Sequence, residues 1–180
     1  TRFDAEISPH WFPNAEGEKR FSAIVDSIKQ ENKSKEYDCI VGLSGGIDSS
    51  YAAYVARRHW GLRVLAVHVD AGWNSQQSVN NIEKLVDGLK LDLHTEVVDW
   101  EEMRDLQLAY LRAGVANQDV PQDHVFFASM YHFAIRNDIR YILSGGNIAT
   151  EGIFPHVWLG SAMDASNLKA VHRKYGGRPL

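Results

Sequence analysis

Cys39-Ile40-Val41-Gly42-Leu43-Ser44-Gly45-Gly46-Ile47-Asp48-Ser49-Ser50 decides the fold. Its first five residues form an apolar, strand-like run, and Tyr51 to Arg58 continue it as a helix-like run. A strand, a glycine-rich turn and a helix start together aim backbone N–H groups and the positive end of a helix dipole at one point. The paired glycines let the backbone approach a ligand closely, and Ser44, Ser49 and Ser50 add hydroxyl donors. A phosphate or pyrophosphate is the natural guest. The loop is not of the Walker type: no Lys precedes its closing Ser, and its glycines are too close together.

The 180 residues and 44% hydrophobic content suit one globular domain with a real core. A net charge of −4 argues against a broad grip on nucleic acid. One cysteine excludes an intrachain disulfide and a multi-Cys zinc site. No apolar run approaches the roughly 20 residues that span a bilayer, and no signal peptide opens the chain, so cytoplasmic residence without membrane contact is expected.

Outward from the loop, strands alternate with helices. Residues 1–17, broken by Pro9 and Pro13, read as an irregular arm anchored by Trp11 and Phe12, and the arm is a candidate surface for a second copy in a homo-oligomer. The spacing predicts a helix over 21–29 and strands over 38–43, 63–70, 91–98 and 141–144. Helices are expected up to about 59 and over 76–89, 101–113 and 124–137. The pattern indicates an α/β fold, a doubly wound parallel sheet covered on both faces. Beyond Gly145 the alternation ends, and the basic finish (Lys169, His172, Arg173, Lys174, Arg178) reads equally as a solvated tail or a working segment.

In such sheets ligands bind beyond the carboxyl ends of the strands. Leu43, Ser44, Gly45, Gly46, Asp48, Ser49 and Ser50 are therefore the candidate nucleotide-binding residues, with Ser44 and Asp48 as candidate catalytic groups. The second and third strands are expected to flank the first and to offer backbone groups to an adenine ring, with Val67 and Val69 as contacts. Asp48 suits a Mg²⁺ between carboxylate and phosphates, or a helix cap. Ser144-Gly145-Gly146-Asn147-Ile148-Ala149-Thr150-Glu151 repeats the logic of the first loop, making Gly145 a second binding glycine and Glu151 a second candidate Mg²⁺ ligand. Trp73 either stacks on a base or covers the sheet edge. The histidines show no metal-ligand spacing, and Cys39 reads as a buried small hydrophobe.

Ser44-Gly45-Gly46-Ile47-Asp48-Ser49 resembles the SGGxDS signature of the PP-loop ATP pyrophosphatases, which cleave ATP between the α and β phosphates. The resemblance implies the adenine nucleotide alpha hydrolase-like three-layer sandwich. Within that superfamily, Trp11 to Lys19, Tyr37 to Tyr51, Leu143 to Glu151 and Trp158 to Tyr175 are similar to the N-acetyl sugar amidotransferases of surface-polysaccharide (lipopolysaccharide) and nonulosonic-acid biosynthesis. What this implies is an ATP- and Mg²⁺-dependent enzyme that adenylates the acetamido oxygen of an N-acetylated sugar or sugar nucleotide. Ammonia from a separate glutaminase then displaces AMP to give an acetamidino group. Lys169, Arg173 or Lys174 would close over the leaving pyrophosphate, and residues 114–121 and the tail would exclude water. The same resemblance divides the chain into an arm and helix (1–36), a PP-loop domain (37–150) and the start of a C-terminal substrate region (151–180) that continues past Leu180.

Two other readings compete. An NAD synthetase-like or other PP-loop amide-forming ligase shares the loop, and would act on deamido-NAD. A non-catalytic ATP-binding protein would carry its phosphate-binding glycines late in the chain, whereas here they come early.

Overall fold

The computed structural model describes residues 3–148 and 164–179. These group into two compact units: 3–68, 75–94 and 134–148 in the first, and 69–74, 95–133 and 164–179 in the second.

The first unit opens with short helical turns over Phe3–Ile7 and Ser8–His10, followed by α1 (Ala15–Glu31). Sequence periodicity places the start of α1 at residue 21, because the apolar stripe begins at Phe21. The helix in fact begins six residues earlier, where Asn14 Oδ1 accepts from the amides of Glu16 (3.0 Å) and Gly17 (3.2 Å). The arm is thus helical in part, with Phe3 edge-on to Trp11 and the Arg20 guanidinium 4.0 Å above the Phe12 ring.

Four strands follow the expected order in the chain: β1 (Cys39–Gly42), β2 (Val64–Asp70), β3 (Asp92–Val97) and β4 (Ile142–Leu143). They form one sheet ordered β3-β2-β1-β4, with β1 parallel to both β2 and β4. Register pairs Cys39 with Val64 and Val41 with Leu143. The expected doubly wound parallel α/β fold is present, but its strand order corrects one expectation. β4, not β3, flanks β1: β2 and β3 extend the sheet on one side of β1, and the chain then crosses back to add β4 on the other. That return creates a switch in strand order between β1 and β4, where open α/β sheets bind ligands.

β1 is buried throughout its first three residues, and Cys39 is fully buried. Burial pushes the Cys39 thiol up to about 12, so it behaves as a hydrophobe. The entry to β1 is pinned by Asp38, 2% exposed, which accepts from Arg63 through its backbone N–H (2.7 Å), Nε (3.1 Å) and a terminal nitrogen (2.6 Å). Around β1 pack Val25 and Ile28 of α1, Ala53 of α2 (Ile47–Tyr54) and Ile82 and Leu89 of α3 (Gln76–Leu89). β3 departs from the pattern of a covered strand: the alternating residues Leu93 and Val97 are exposed.

In the second unit, α4 (Trp100–Ala113) is capped by Asp99 and ends at Gly114. The helix that leads back toward β4, α5 (Val120–Arg136), begins four residues before its expected start. The basic finish is helical for most of its length. Residues Ala165–Tyr175 form α6, capped by Asp164 Oδ1 on the amides of Ser166 (2.9 Å) and Asn167 (3.0 Å). Leu168 of α6 joins Leu106, Tyr110 and Val120 in a second core, and the basic residues Lys169, Arg173 and Lys174 remain exposed.

Candidate functional site

The site at the β1–β4 switch is built by two loops of the same local design. Leu43, 3% exposed, anchors the first by donating its N–H to Val67 O (2.8 Å). Ser44 then turns the chain, its Oγ accepting from Gly46 N (3.3 Å), and Ser144 Oγ accepts from Gly146 N (3.0 Å) in the second loop. Each hydroxyl closes a small turn that keeps the glycine pair folded back.

Gly45 must be glycine. Its φ is +77°, and a β carbon would lie 2.5 Å from Ser78 O and 2.7 Å from Ser78 Cα. α3 supports this turn from its own first turns, for Asn81 Nδ2 donates to Gly45 O (2.9 Å). Sequence reading misses Ser78 and Asn81, since it treats α3 only as an apolar stripe. The available signal is the polar start of that helix, Gln76-Gln77-Ser78-Val79-Asn80-Asn81.

Gly46 caps α2 without a side chain to offer its amides. By contrast, α1, α3, α4 and α6 are each capped by a side-chain oxygen, from Asn14, Ser75, Asp99 and Asp164. The first amides of α2 therefore lack the acceptor that those helices carry, and they point where an anion is stabilised. Hydroxyls line the same turn: Ser44 Oγ lies 3.1 Å from Ser49 Oγ, and Ser50 Oγ donates to Gly46 O (2.7 Å). The second loop closes on it, because a β carbon on Gly145 would stand 2.7 Å from Ser49 N. Phosphate groups fit this cradle of uncapped amides, exposed Ser44 and glycine backbone.

Asp48 occupies the second position of α2 and is exposed, so the N-cap role belongs to Gly46. A nucleotide-bound Mg²⁺ takes one or two carboxylates and fills its remaining positions with phosphate oxygens and water, and Asp48 has the chemistry for this. Glu151, the expected second ligand, lies outside the described residues. No group of three or more His, Cys, Asp or Glu side chains among the described residues is arranged so that it could hold a metal ion. Val67 and Val69 are buried in β2, and the Val67 carbonyl is engaged by Leu43. Lys169 is exposed on α6, in the second unit.

That unit contains a polar pair in which His172 is buried and Asp105 partly so. His172 Nε2 lies 2.8 Å from Asp105 Oδ2, and the Asp105 carboxylate also accepts from the amides of Gly177 (3.0 Å) and Arg178 (3.1 Å). The His172 hydrogen bond, helped by these amides, holds the Asp105 carboxyl below the usual carboxylate range. The pair ties α6 and the residues after it to α4. A polar cavity of about 220 Å³ adjoins it, lined by Asp99, Glu102, Arg178 and Pro179.

Residues 20–139 match the NAD synthase family. Over 97% of its length the chain is 26% identical to a glutamine-hydrolysing GMP synthase of Pyrobaculum aerophilum, covering 32% of that protein. It is 32% identical over 136 residues, 73% of this chain, to one of the subunits of a glutamine-hydrolysing GMP synthase of Methanococcus vannielii, covering 40% of it. The chain thus spans about a third of the length of the first of these relatives. Among solved structures, the NH3-dependent NAD synthetase of Campylobacter jejuni superposes with a TM-score of 0.51 at 16% identity, over 87% of this chain and 72% of that one. The NMN synthetase of Francisella tularensis gives 0.53 at 19%, over 87% and 70%. These two likenesses concern the fold alone.

Proposed function

This chain belongs to the NAD synthase family, and we propose that it uses ATP to replace the acetamido oxygen of an N-acetylated sugar with nitrogen. ATP cleaved between its α and β phosphates would place AMP on the acetamido oxygen and release pyrophosphate. Ammonia would add to the activated carbon, and AMP would leave with the oxygen, giving an acetamidino group. The sum is substrate, ATP and ammonia in, and amidine, AMP and pyrophosphate out.

The uncapped start of α2 beneath two serine–glycine–glycine turns carries this reading. The amides at the start of α2 and the Ser44 hydroxyl would hold the β and γ phosphates, which become the leaving pyrophosphate. Their dipoles are already aimed, so charge gathering there needs little reorganisation. Asp48 would hold a Mg²⁺, which supplies charge neutralisation on the phosphate oxygens. Lys169 on α6 is proposed to act on the leaving group, and the substrate sugar and a glutaminase that delivers ammonia are proposed partners. No helix among the described residues is long and apolar enough to cross a membrane.

The second reading is an NAD synthetase-like ligase that amidates a carboxylate. The family match favours it. One experiment separates the two. The chain is incubated with ATP, Mg²⁺ and ammonium, and with either UDP-linked N-acetylhexosamines or deamido-NAD, and the nucleotides and products are resolved by mass spectrometry. The sugar reading expects AMP and pyrophosphate only with the acetamido sugar, and a product lighter by the difference between an oxygen atom and an NH group. Turnover of deamido-NAD alone establishes the second reading, and ADP as product overturns both.

A further inference from the structure

Two tryptophans stand exposed at the carboxyl ends of β2 and β3. Trp73 follows β2 and is 56% exposed; Trp100 begins α4 after β3 and is 44% exposed. Their ring centroids are 5.5 Å apart with planes at 74°, so one indole forms a floor and the other a wall. Large aromatic side chains left half in water carry a cost unless something covers them.

The chain holds the pair in place with several fixed contacts. Gly72, between β2 and Trp73, has φ +84°, and a β carbon on it would sit 2.4 Å from Trp100 Cε3. The Trp100 indole thus lies directly over the Gly72 backbone, which only glycine permits. Asp70 Oδ1 accepts from Gly72 N (2.9 Å), which closes the turn that carries Trp73. On the other side, Asp70 O accepts from Val98 N (2.9 Å), and Asp99 Oδ1 caps α4 through the amides of Glu101 (2.9 Å) and Glu102 (3.0 Å). Each indole therefore follows a backbone turn locked by a carboxylate.

We propose that this right-angled indole pair is the seat of the N-acetylated pyranose, a reading that rests on the sugar function proposed above. The floor would stack on the apolar C–H face of the ring, and the wall would take the acetamido methyl that projects from its edge. The neighbouring carboxylates select within amphipathic ligands. Asp99, Glu101 and Glu102 are exposed beside Trp100, with Glu101 paired to Arg178, and carboxylate oxygens so placed accept from sugar hydroxyls. An indole pair beside carboxylate acceptors suits a pyranose, which has hydroxyls on its rim and one greasy face.

The test is calorimetry on the full chain with three probes: UDP-N-acetylhexosamines of gluco and galacto configuration, UDP-glucose without the acetamido group, and ATP. Wild-type protein is expected to bind an acetamido sugar more tightly than UDP-glucose. Trp73→Ala and Trp100→Ala are each expected to weaken the acetamido sugar about ten-fold and to leave ATP unchanged. Trp73→Phe, which keeps a flat ring at an exposed position, is expected to recover most of the loss there, and circular dichroism of each alanine variant guards against a fold defect. If both alanine variants bind the acetamido sugar as wild type does, the indole seat is wrong and the sugar reading stands. If they lose ATP instead, the pair is an adenine shelf and the proposal is overturned. Wild-type protein that binds deamido-NAD but neither acetamido sugar overturns the seat and the sugar reading together.

Discussion

Gly145 lies so close to the first turn of α2 that a β carbon on it would stand 2.7 Å from Ser49 N and 2.8 Å from Ser49 Cα. The second serine–glycine–glycine turn is therefore pressed against the helix that follows the first. Contact between the two loops is backbone on backbone, which explains why glycine is needed at a position with no positive φ.

Gly145→Ala should push the two loops apart. Overpacking of this kind typically costs about 1–3 kcal/mol, and here it falls on the proposed phosphate site. Thermal unfolding should show the stability loss, and calorimetry should show weaker ATP binding even where the variant is fully folded. A variant with wild-type stability would mean that β4 yields at no cost.

Gly45 and Gly46 should respond differently to valine. At Gly45 the left-handed backbone alone costs about 1–2 kcal/mol, and the Ser78 backbone blocks the side chain. At Gly46 a β carbon meets, among the described residues, only Ser44 Oγ, at 3.3 Å, so Gly46→Val should fold and still lose ATP through crowding of the α2 amides. Circular dichroism and ATP titration of both variants would check the contrast. Unchanged ATP affinity in folded Gly46→Val would remove the loop as a phosphate site.

Asp48→Asn removes a charge from an exposed position that does not cap α2. Weakening is expected to be large for ATP with Mg²⁺ and small for ATP with chelator present. Equal effects under both conditions would assign Asp48 to helix electrostatics and not to a metal.

Asp105→Asn should destabilise the α4–α6 contact in a pH-dependent way. The Asp105 carboxyl is held below its ordinary value, so its charged form favours the folded state. That contribution is complete above the unfolded carboxyl value, about 3.9, and fades as the pH falls through the lower folded value. Melting temperatures of wild type and variant should differ at pH 7 and converge as the pH drops below about 3.9. A constant gap down to the acid limit would show that shape, not charge, joins Asp105 to His172.

Much of this is legible in the sequence because local rules produce it. Ser44-Gly45-Gly46 after a β-type run can hardly be other than a strand-to-helix turn, and Cys39 within that run reads correctly as a buried thiol. α6 is hard to read because its stripe is short and polar: Leu168 and His172 are its only buried residues. The cap at Asp164 is its one clear signal. Asn14 is as easily overlooked at α1, where periodicity outweighs capping in a reading of the sequence.

The elements, the parallel α/β class and the strand-to-helix glycine turn at Gly45 and Gly46 follow from the chain read residue by residue, because propensity, glycine geometry and capping act over a few positions. Packing in three dimensions is what sets β4 beside β1, braces Gly45 with Ser78 and Asn81, and lays Trp100 over Gly72. Those relationships join residues tens of positions apart in the chain. They are settled by how backbones pack once side chains are missing, which no local pattern records.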